Sequence, residues 1–480
     1  MTRINTNIAA IRAMSDLSRS NKSLSVSLER LSTGFQINRA SDAPAGLIIS
    51  ERLRTQIASL HQAVDNTERA INVLQTAESA LGEVNSLLIQ LQDLILESAN
   101  AGAVSDEEIL ANQAQVDSAV QTITRIANTS SFAGIHLLDG SRDYQTSGVP
   151  RGSISEMKIY GAQITNISSS LAVTVTVTQN ASQAIISNTA SGIGTSGATL
   201  LISGNVGSQA LKFNPNAANS AILAAVNSVA NNTGVNGILS GGTMFFQSQK
   251  FGVEEFVSVV DLQNLSSSTQ YINETDYGRD QTANINGAVA DSRGLTVQVD
   301  SFNLKAELTL SSNFYANHTN NSAFTTSATA TFYITGGGFA FNIGESTTDN
   351  NKAFVGIQRA TADNLGDRSV GFLNDIVTGG TYSLRKNPEQ AKQIVEFAID
   401  DVSNLRARLG ATTANTFTTN INSLDEELRN LIESESRIRD TDFAKETTEF
   451  TKNQILVQAG TSVLAQTNTA PQIVLQLLGQ

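Results

Sequence analysis

The stretch from residue 57 to residue 88, which reads IASLHQAVDNTERAINVLQTAESALGEVNSLL, decides the fold. Its apolar residues recur at alternating steps of three and four, the heptad spacing of helices that pack along a narrow seam. The seam consists of Ile57, Leu60, Val64, Ile71, Leu74, Leu81 and Leu88, with polar residues at Thr67, Glu78 and Asn85. We predict one long helix from about Ile57 to Ala99, roughly 65 Å in length at 1.5 Å per residue.

Shorter heptad series lie on both sides of this stretch. The first comprises Leu17, Leu24, Leu28, Leu31 and Phe35; the second follows the capping-box sequence Ser105–Glu108 and comprises Ile109, Val116, Val120 and Ile123. The third, near the far end, comprises Phe417, Ile421, Leu424, Leu428, Leu431 and Ile438, with Glu435 as an interruption. We predict helix boundaries at Gly34, Pro44, Gly102 and Gly410.

Residues 144–383 differ in composition from the two ends. They hold all 7 Tyr and 13 of the 19 Phe, in a background of Ser, Thr, Asn and Gly. Alternating apolar residues predict strands at 171–178, 295–299, 306–310 and 330–334, and 217–229 is predicted to be one short helix. The sequence therefore predicts an α+β fold, with a long α-helical, coiled-coil-like core built from both termini and a β-rich inserted outer domain.

Composition and motifs argue against several classes of function. The chain has 480 residues, with 31 Lys+Arg against 44 Asp+Glu, so neither nucleic acid nor an anionic membrane is an expected partner. Cys is absent, and the three His residues stand at no metal-ligand spacing. Phosphate-binding and nucleophile-elbow motifs are absent as well. We expect no enzymatic activity, no cofactor and no metal.

Both ends of the chain are more apolar than exposed termini usually are. We hypothesise that these ends pack against further copies of the chain through Ile4, Ile8, Ile11, Leu17, Leu464, Val474, Leu475 and Leu478. The alternative is an intramolecular helical bundle. No apolar run approaches 18 residues, and charges such as Arg3 and Arg12 interrupt the first segment, so we expect neither membrane insertion nor a cleavable signal.

Long motifs at both ends resemble one known family. Residues 1–143 contain MTRINTNIAAIRA, LERLSTGFQINRASDAPAGLIISERLRTQI, AINVLQTAESALGEV and ANTSSFAGIHLLDG, and residues 389–480 contain AIDDVSNLRARLGA, ESRIRDTDFAKE, ILVQAGTSVLAQTN and PQIVLQLLGQ. In this order the motifs resemble the N- and C-terminal cores of bacterial flagellin, over about half of the chain. The stretch at 341–366 is similar to the family's segment that leads back into the core.

The resemblance implies a structural subunit that polymerises into the flagellar filament, the helical propeller for swimming. It implies an inner coiled-coil domain of residues 1–40 plus 453–480, a helical core domain with a β-hairpin of residues 41–165 plus 340–452, and a β-rich variable surface domain of residues 166–339. It also implies type III export without cleavage, an extracellular location, O-linked glycans on the surface domain, and a flagellar cap, hook-junction proteins and an export chaperone as partners.

Two other functional readings stay open at this point. The chain is alternatively a minor flagellin or a hook–filament junction protein, which share the same helical core. Residues 166–339 are alternatively a glycan-binding or adhesive module displayed on the filament.

The resemblance also assigns roles to two sets of residues. Charged residues in NRASDAP and SRIRDTD match family stretches near the link between inner and outer core, and we expect them to hold the register between subunits: Arg39, Asp42, Arg437, Arg439, Asp440 and Asp442. Solvated surface charge is the alternative. Innate-receptor recognition in many flagellins uses an Arg-containing helix face similar to QRVREL. The matching stretch here has Gln90 and Gln92, beside Leu94, in place of the arginines, so weak Toll-like receptor activation is expected.

Overall fold

The computed structural model describes residues 7–100, 104–164, 170–188, 197–262, 274–301, 303–312, 314, 328–368 and 370–478, without the side chains of residues 470–478. The chain divides into two compact units. The first unit draws on residues 1–70, 342–351 and 414–480. The second consists of residues 71–341 and 352–413.

Long helices form both ends of the described chain. The helices are α1 (Ile8–Thr33), α2 (Pro44–Ala99), α3 (Asp106–Thr129), α4 (Asn219–Ser228), α5 (Ala230–Thr233), α6 (Pro388–Ala411), α7 (Thr419–Arg439) and α8 (Phe443–Leu478). A π-helical stretch, Thr412–Thr418, joins α6 to α7. Short 3₁₀ helices occur at Asp349–Asn351 and Leu373–Asp375.

Three predicted helix boundaries are confirmed. Gly34 ends α1 with φ +77°, a left-handed conformation that glycine adopts without steric cost, and its N–H donates to the carbonyl of Arg30. Pro44 is the first residue of α2, where a missing N–H breaks no helical hydrogen bond. Ser105 and Glu108 form the reciprocal capping box before α3. Gly102 lies outside the described residues.

Two other helix predictions are wrong. Gly410 does not separate two helices, because it lies inside α6 and the chain continues through the π-helical stretch into α7. A Cβ atom at Gly410 would meet no atom within 4 Å, so no close contact requires a glycine there. The long helix α2 begins at Pro44 rather than near Ile57.

The buried stripe of α2 is a heptad seam, in a register that differs from the prediction. Every seventh residue of the predicted seam is buried, namely Leu60, Thr67, Leu74, Leu81 and Leu88. The other buried positions of the stripe are Ala63, Ala70, Ala77, Val84 and Leu91. The predicted seam instead contains Val64, Ile71, Glu78 and Asn85, each one residue later than the first four of these buried positions. A small side chain at such positions lets a neighbouring helix approach closely, whereas Glu78 and Asn85 lie beside the seam, half-buried.

The core of the first unit joins two of the predicted heptad series. Leu60 and Ala63 of α2 pack against Leu424 and Leu428 of α7. Ile57, Val64 and Leu431 pack at the margin of this cluster. The heptad spacing of both segments therefore serves the same contact.

In the second unit, α6 contacts both a helix and a strand. Arg406 of α6 forms an ion pair of 2.7 Å with Glu78 of α2. The β4 strand (Ile154–Ala162) is held to α6 by the ion pair of Lys158 with Asp401, at 2.6 Å, and by Arg408, whose guanidinium lies 3.4 Å from the centre of the Tyr160 ring. These partly buried contacts attach the β region to the helical core.

The strands of the described chain fall mainly between residues 131 and 372. They are β1 (Ser131–Phe132), β2 (Ile135–His136), β3 (Gln145–Ser147), β4, β5 (Leu171–Gln179), β6 (Ile185–Asn188), β7 (Ala198–Gly204), β8 (Ser208–Phe213), β9 (Val235–Ser240), β10 (Thr243–Ser248), β11 (Phe256–Asp261), β12 (Glu274–Tyr277), β13 (Thr282–Ile285), β14 (Ala288–Val289), β15 (Asp291–Arg293), β16 (Thr296–Asp300), β17 (Leu304–Leu310), β18 (Ala328–Gly336), β19 (Phe339–Asn342), β20 (Lys352–Val355), β21 (Gly366–Asp367) and β22 (Gly371–Phe372).

These strands build two separate apolar cores. The first lies between a five-stranded sheet of order β14-β13-β5-β18-β3 and a four-stranded sheet of order β15-β16-β17-β4. The second is enclosed by a four-stranded sheet of order β12-β11-β7-β8, a three-stranded sheet of order β6-β10-β9, and α4. The strands predicted at 171–178, 295–299, 306–310 and 330–334 correspond to β5, β16, β17 and β18, and the predicted short helix corresponds to α4. The α+β prediction is confirmed.

Adjacent residues of α2 provide a test of the seam. Leu88 is fully buried, whereas Ile89 is largely exposed. We predict that Leu88→Ala lowers the free energy of unfolding by about 2–5 kcal/mol, because it leaves a cavity in the seam. The matched variant Ile89→Ala is expected to cost about 0.5 kcal/mol or less. Urea unfolding of the monomeric chain, followed by far-ultraviolet circular dichroism, measures both, and equal losses would contradict the observed register.

Candidate functional site

The first and last helices, α1 and α8, lie antiparallel against each other; we refer to them as the terminal helix pair. The Asn7 amide donates to the carbonyl of Thr467 at 2.8 Å, and Arg30 forms an ion pair of 3.5 Å with Glu446. Between these contacts, a Cβ atom at Gly460 would lie 3.3 Å from Leu17 Cδ1. The two helices therefore run in opposite directions and approach closely at Gly460.

The terminal helix pair buries one heptad-spaced stripe on each helix. The buried or half-buried stripe of α1 is Ala10, Ala13, Leu17, Ser20, Leu24, Ser27 and Leu31. The corresponding stripe of α8 is Glu446, Phe450, Asn453, Val457, Gly460, Leu464 and Thr467. Steps of three and four alternate along both stripes, as in a coiled coil, but about half of the positions are small or polar.

Burial in the terminal helix pair is inverted relative to an ordinary core. Ser27, which is 4 % exposed, is the one α1 residue classed as buried, and the buried residues of α8 among those described are Glu446 and Asn453. Several large apolar side chains lie on the outer surface instead: Ile11 is 59 % exposed, and Ile8, Met14, Ile455, Leu456 and Val463 are exposed to similar degrees. A single copy thus presents an apolar outer surface that it cannot cover itself.

The residues predicted to carry assembly fall into three groups. Ile8 and Ile11 lie on the exposed surface of α1. Leu17 and Leu464 lie in the stripe between the two helices and are half-buried within one copy. Ile4 and the side chains of Val474, Leu475 and Leu478 lie outside the described residues.

One member of the first predicted seam is misplaced. Leu28 is 51 % exposed and does not belong to the inner stripe of α1. Ser27 occupies that position instead. Leu28 therefore adds to the apolar outer surface rather than to the contact with α8.

The two chain segments next to the terminal helix pair are joined by backbone hydrogen bonds. The N–H of Gln36 donates to the carbonyl of Arg439 at 2.7 Å, and the N–H of Thr441 donates to the carbonyl of Gly34 at 2.8 Å. Phe35 and Asp440 are the paired residues of this antiparallel bridge. The bridge fixes where the chain leaves α1 relative to where it enters α8.

Arg439 is the central side chain of this bridge. Its guanidinium lies 4.5 Å from the centre of the Phe35 ring and 3.6 Å from a Glu51 carboxylate oxygen. It also lies 3.8 Å from Glu435, which accepts a hydrogen bond of 3.1 Å from the buried Ser50 hydroxyl. The resemblance selected Arg439, whereas the heptad analysis treated Glu435 as an interruption, and neither identified Phe35, Glu51 and Ser50 as part of this cluster. The four-residue spacing of Glu435 and Arg439 was the available local signal.

The other predicted register residues bind within their own segments. Arg39 makes a bidentate contact with Glu29 on the surface, at 3.1 and 3.2 Å. Arg437 pairs with Glu433, and Asp440 accepts from the Ser436 hydroxyl. The structure therefore does not pair the charged residues of NRASDAP directly with those of SRIRDTD.

Asp42 and Asp442 both accept backbone hydrogen bonds, Asp42 from the turn that precedes α2 and Asp442 from the first turn of α8. Asp442 accepts from the N–H groups of Ala444 and Lys445, the first turn of α8. Asp42 accepts from the N–H groups of Arg39 and Asn38, and the Arg39 contact is the largest influence that lowers the pKa of this carboxyl. A lowered pKa means that the contact stabilises the fold above the ordinary aspartate pKa and is lost as the pH falls through the lowered value.

The stretch matched to the receptor-binding face lies in the second unit. Gln90 is exposed, Leu94 is half-buried, and Gln92 donates to a Glu396 carboxylate oxygen at 3.5 Å. Position 92 thus already faces a negative charge. The structure places Gln90 and Gln92 on α2 without any basic residue in that stretch.

The described residues contain neither a candidate metal centre nor a candidate membrane-spanning helix. Within residues 7–478, leaving out the gaps named above, His, Asp and Glu nowhere form a group of three suited to a metal ion. Across the same residues, none of the helices combines the length and apolar character needed to cross a bilayer.

Comparison with known proteins extends the sequence resemblance. The family model for the bacterial flagellin N-terminal helical region matches residues 4–143, and that for the C-terminal helical region matches residues 392–478. Polar flagellin F of Vibrio parahaemolyticus is 31% identical over 477 residues, and flagellin D of Vibrio anguillarum is 30% identical over 481 residues; each alignment covers 99% of both chains. A solved FliC from Burkholderia pseudomallei is 16% identical over 72% of this chain and 98% of that chain, with a TM-score of only 0.24.

Two neighbouring arginines provide a test of the bridge. Arg439 is 20 % exposed and contacts Phe35, Glu51 and Glu435, whereas Arg437 is 77 % exposed and contacts one surface carboxylate. We predict that Arg439→Ala destabilises the first unit by about 1–3 kcal/mol, since the half-buried Glu435 loses its cation.

The matched variant Arg437→Ala is expected to cost about 0.5 kcal/mol or less. Hydrogen exchange at the amides of Gln36 and Thr441 reports the bridge directly. Comparable exchange rates in the two variants would show that Arg439 does not hold it.

Proposed function

The chain belongs to the bacterial flagellins, structural subunits of the flagellar filament, and on this premise we propose that the terminal helix pair is the surface through which copies of the chain polymerise. The inverted burial of this pair carries the proposal. Its fully buried positions are polar, while Ile8, Ile11 and Met14 face outward. An apolar surface that one copy leaves exposed favours association with other copies, and a head-to-tail contact that does not close generates a helical polymer.

The energetics favour assembly over a free pair. Ordering the backbone costs roughly 1–2 kcal/mol per residue, and a seam in which about half of the positions are small or polar and the large apolar residues are only half-buried offsets only part of that cost within one copy. Burial of one Ile or Leu side chain contributes about 1.5–3 kcal/mol. Because every copy offers the same outward residues, the gain recurs with each added subunit, which makes growth cooperative.

We assign the chain to three parts on the same basis. Residues 1–40 plus 453–480 form the inner coiled-coil domain, residues 41–165 plus 340–452 the helical core domain with its β-hairpin, and residues 166–339 the variable surface domain. The bridge between Gly34 and Thr441 lies close to the proposed inner boundary. We propose that Arg439 and its neighbours hold the register there, with Arg39, Asp42, Arg437, Asp440 and Asp442 as local supports.

The remaining proposals concern the path of the subunit to the filament. We propose that the chain leaves the cell uncleaved through the type III flagellar apparatus, bound beforehand by an export chaperone, and that it joins the filament between hook-junction proteins and a distal cap. The finished filament lies outside the cell, and the Ser- and Thr-rich surface domain is its site for O-linked glycans.

Outward apolar residues of α1 provide the test of polymerisation. We predict that Ile8→Ser combined with Ile11→Ser raises the critical concentration for seeded filament growth at least about tenfold, because two apolar side chains no longer become buried between copies. The unfolding midpoint of the free chain is expected to stay unchanged, since both side chains are exposed in one copy. Sedimentation of polymer from monomer measures the first quantity.

The control is Ser15→Ala combined with Ser18→Ala, which alters two exposed residues of the same helix without removing apolar surface. It is expected to polymerise like the wild type. Growth of the Ile8 and Ile11 variant at the wild-type concentration would refute the role of this surface. A wild-type chain that stays monomeric with every seed would refute polymerisation itself.

We also propose that the chain activates Toll-like receptors weakly because its long core helix lacks two arginines. Gln90→Arg combined with Gln92→Arg is expected to raise the response of receptor reporter cells severalfold, and Glu396 supplies an acceptor for an arginine at position 92. The control Gln75→Arg adds a charge to an exposed position of the same helix. A full response to the unaltered chain would overturn the proposal.

A further inference from the structure

Four loops of the second unit line a cavity of about 320 Å³, which we call the junction cavity. Two of these loops connect strands of the second apolar core, β7 to β8 at Asn205 and β10 to β11 at residues 250–255. The other two, at Asp280 and Gly294, lead into β13 and β16, which belong to the sheets of the first apolar core. The cavity therefore lies where the two cores adjoin, a kind of position that ligand sites often occupy.

Glycine residues let the loops around the junction cavity approach each other closely. A Cβ atom at Gly294 would lie 2.6 Å from the carbonyl oxygen of Phe251, and one at Gly252 would lie 2.8 Å from a carboxylate oxygen of Asp280. A larger residue at either position would force one loop away from the other. The N–H of Gln281 also donates to the carbonyl of Gly294 at 3.1 Å. The loops are thus held in place before any ligand binds.

Glu255 is the most deeply buried charged residue of the junction cavity, with 7 % of its surface exposed. Its Oε1 accepts a hydrogen bond of 3.0 Å from the Asn205 amide, whereas no described residue donates to Oε2 and none forms an ion pair with this carboxylate. Oε2 is still reached by solvent, unlike the side-chain oxygen of Gln281, which is buried without a partner. A charge so deeply buried is costly without a counter-ion, so the open oxygen indicates a cation supplied from outside the chain.

Two neighbouring side chains bring further acceptor oxygens to the cavity. Asp280 Oδ1 accepts from the N–H groups of Val253 and Gly294, at 3.1 and 2.7 Å, which orients the carboxylate and leaves Oδ2 without a donor among the described residues. Asn205 donates to Glu255 through Nδ2, so its Oδ1 is left as an acceptor. The three open oxygens match in number the three N–H donors of a primary ammonium group.

The cationic side chains that line the junction cavity do not neutralise Glu255. Arg293 donates through Nε and Nη2 to Glu254, at 3.1 and 2.6 Å, and its charge also acts on Asp280. Lys250 is exposed and forms no ion pair with a described residue. Three carboxylates and two cations line the cavity, which leaves one negative charge uncompensated.

We propose that the junction cavity binds the ammonium group of a small primary amine, which donates to Glu255 Oε2 with Asn205 Oδ1 and Asp280 Oδ2 as further acceptors. An organic cation fits better than a metal ion, because no three His, Asp or Glu side chains of the described chain converge as a metal centre. Charge-assisted hydrogen bonds supply both affinity and orientation for such a ligand. The proposal goes beyond polymerisation and does not depend on it, since all these residues belong to the β region of the second unit.

Titration of the unpolymerised full-length chain with methylammonium chloride tests the site, with ionic strength held constant by sodium chloride. The amide signals of Gly278 and Gly294 in ¹H–¹⁵N NMR spectra are expected to shift saturably, because these N–H groups donate to the Glu255 carbonyl and the Asp280 carboxylate. Tetramethylammonium has the same charge but no N–H donor, and it is expected to leave both signals in place. The same response to both salts, or no response to either, would overturn the proposal.

Glu255→Gln is the decisive variant, because it removes the charge while keeping the shape of the side chain and an acceptor for Asn205. Its affinity for methylammonium is expected to fall at least about tenfold, the loss of one hydrogen bond to a charged group. The free variant is expected to be as stable as the wild type or more so, since a buried charge without a counter-ion has been removed. The matched control Glu274→Gln removes the same charge from an exposed position outside the cavity and should bind like the wild type. Equal affinities of the two variants would show that Glu255 binds no ammonium group.

Asn205→Ala provides a second variant that does not disturb a core, because this side chain is exposed. It removes one acceptor and the donor that orients Glu255, so methylammonium binding is expected to weaken severalfold. Unchanged binding would contradict the proposed set of acceptors. Calcium chloride distinguishes the other class of cation: saturable shifts of the same two amides at a lower concentration of calcium than of methylammonium would make the cavity a metal site and refute its assignment to amines.

Discussion

The antiparallel pairing of the first and last helices is the contact on which the first unit and its proposed assembly depend. It brings Asn7 to Thr467 and Arg30 to Glu446, and the bridge at Gly34 and Thr441 continues the same register beyond the helices. Polar residues at seam positions weaken such a pair but specify its alignment, because a shifted register would leave buried polar groups without partners. Polar contacts thus fix the alignment of the terminal helix pair, while large apolar side chains of the pair stay exposed in one copy. Both properties suit a subunit that packs against further copies.

Heptad spacing located the long helix and half of its seam correctly, but it could not fix the order of the three- and four-residue steps. Leu60, Leu74, Leu81 and Leu88 are seam positions whether the step of three or the step of four comes first after each of them. The heptad pattern favours Val64 and Ile71 as seam residues, because these side chains are larger and more apolar than those of Ala63 and Ala70. The structure instead buries the two alanines. Their small side chains permit close approach of the neighbouring helix. Strands were easier to predict, since alternation in β5 and β18 has only one inward face.

The bridge shows the limit of sequence reasoning more sharply. Resemblance pointed to Arg439, and a local rule pairs it with Glu435, but its contacts with Phe35 and Glu51 join residues that are about four fifths of the chain length apart in sequence. No periodicity encodes such a contact. Conversely, Asp42 and Asp442 carry charge in the expected place yet accept hydrogen bonds from nearby backbone N–H groups. For Asp42 these donors lie in the turn before α2, and for Asp442 they lie in the first turn of α8, so both carboxylates find partners without a distant cation.

The first unit is incomplete as a single copy, because apolar residues of the terminal helix pair are covered by no core among the described residues. Within the second unit, Val173, Val175 and Phe332 are fully buried between sheets of the same copy, so a β core forms without help. In the terminal helix pair, Ile11 remains in solvent. A neighbouring copy that buries this surface removes a cost that one copy cannot remove by itself, so assembly uses the apolar residues that the fold of one copy leaves over.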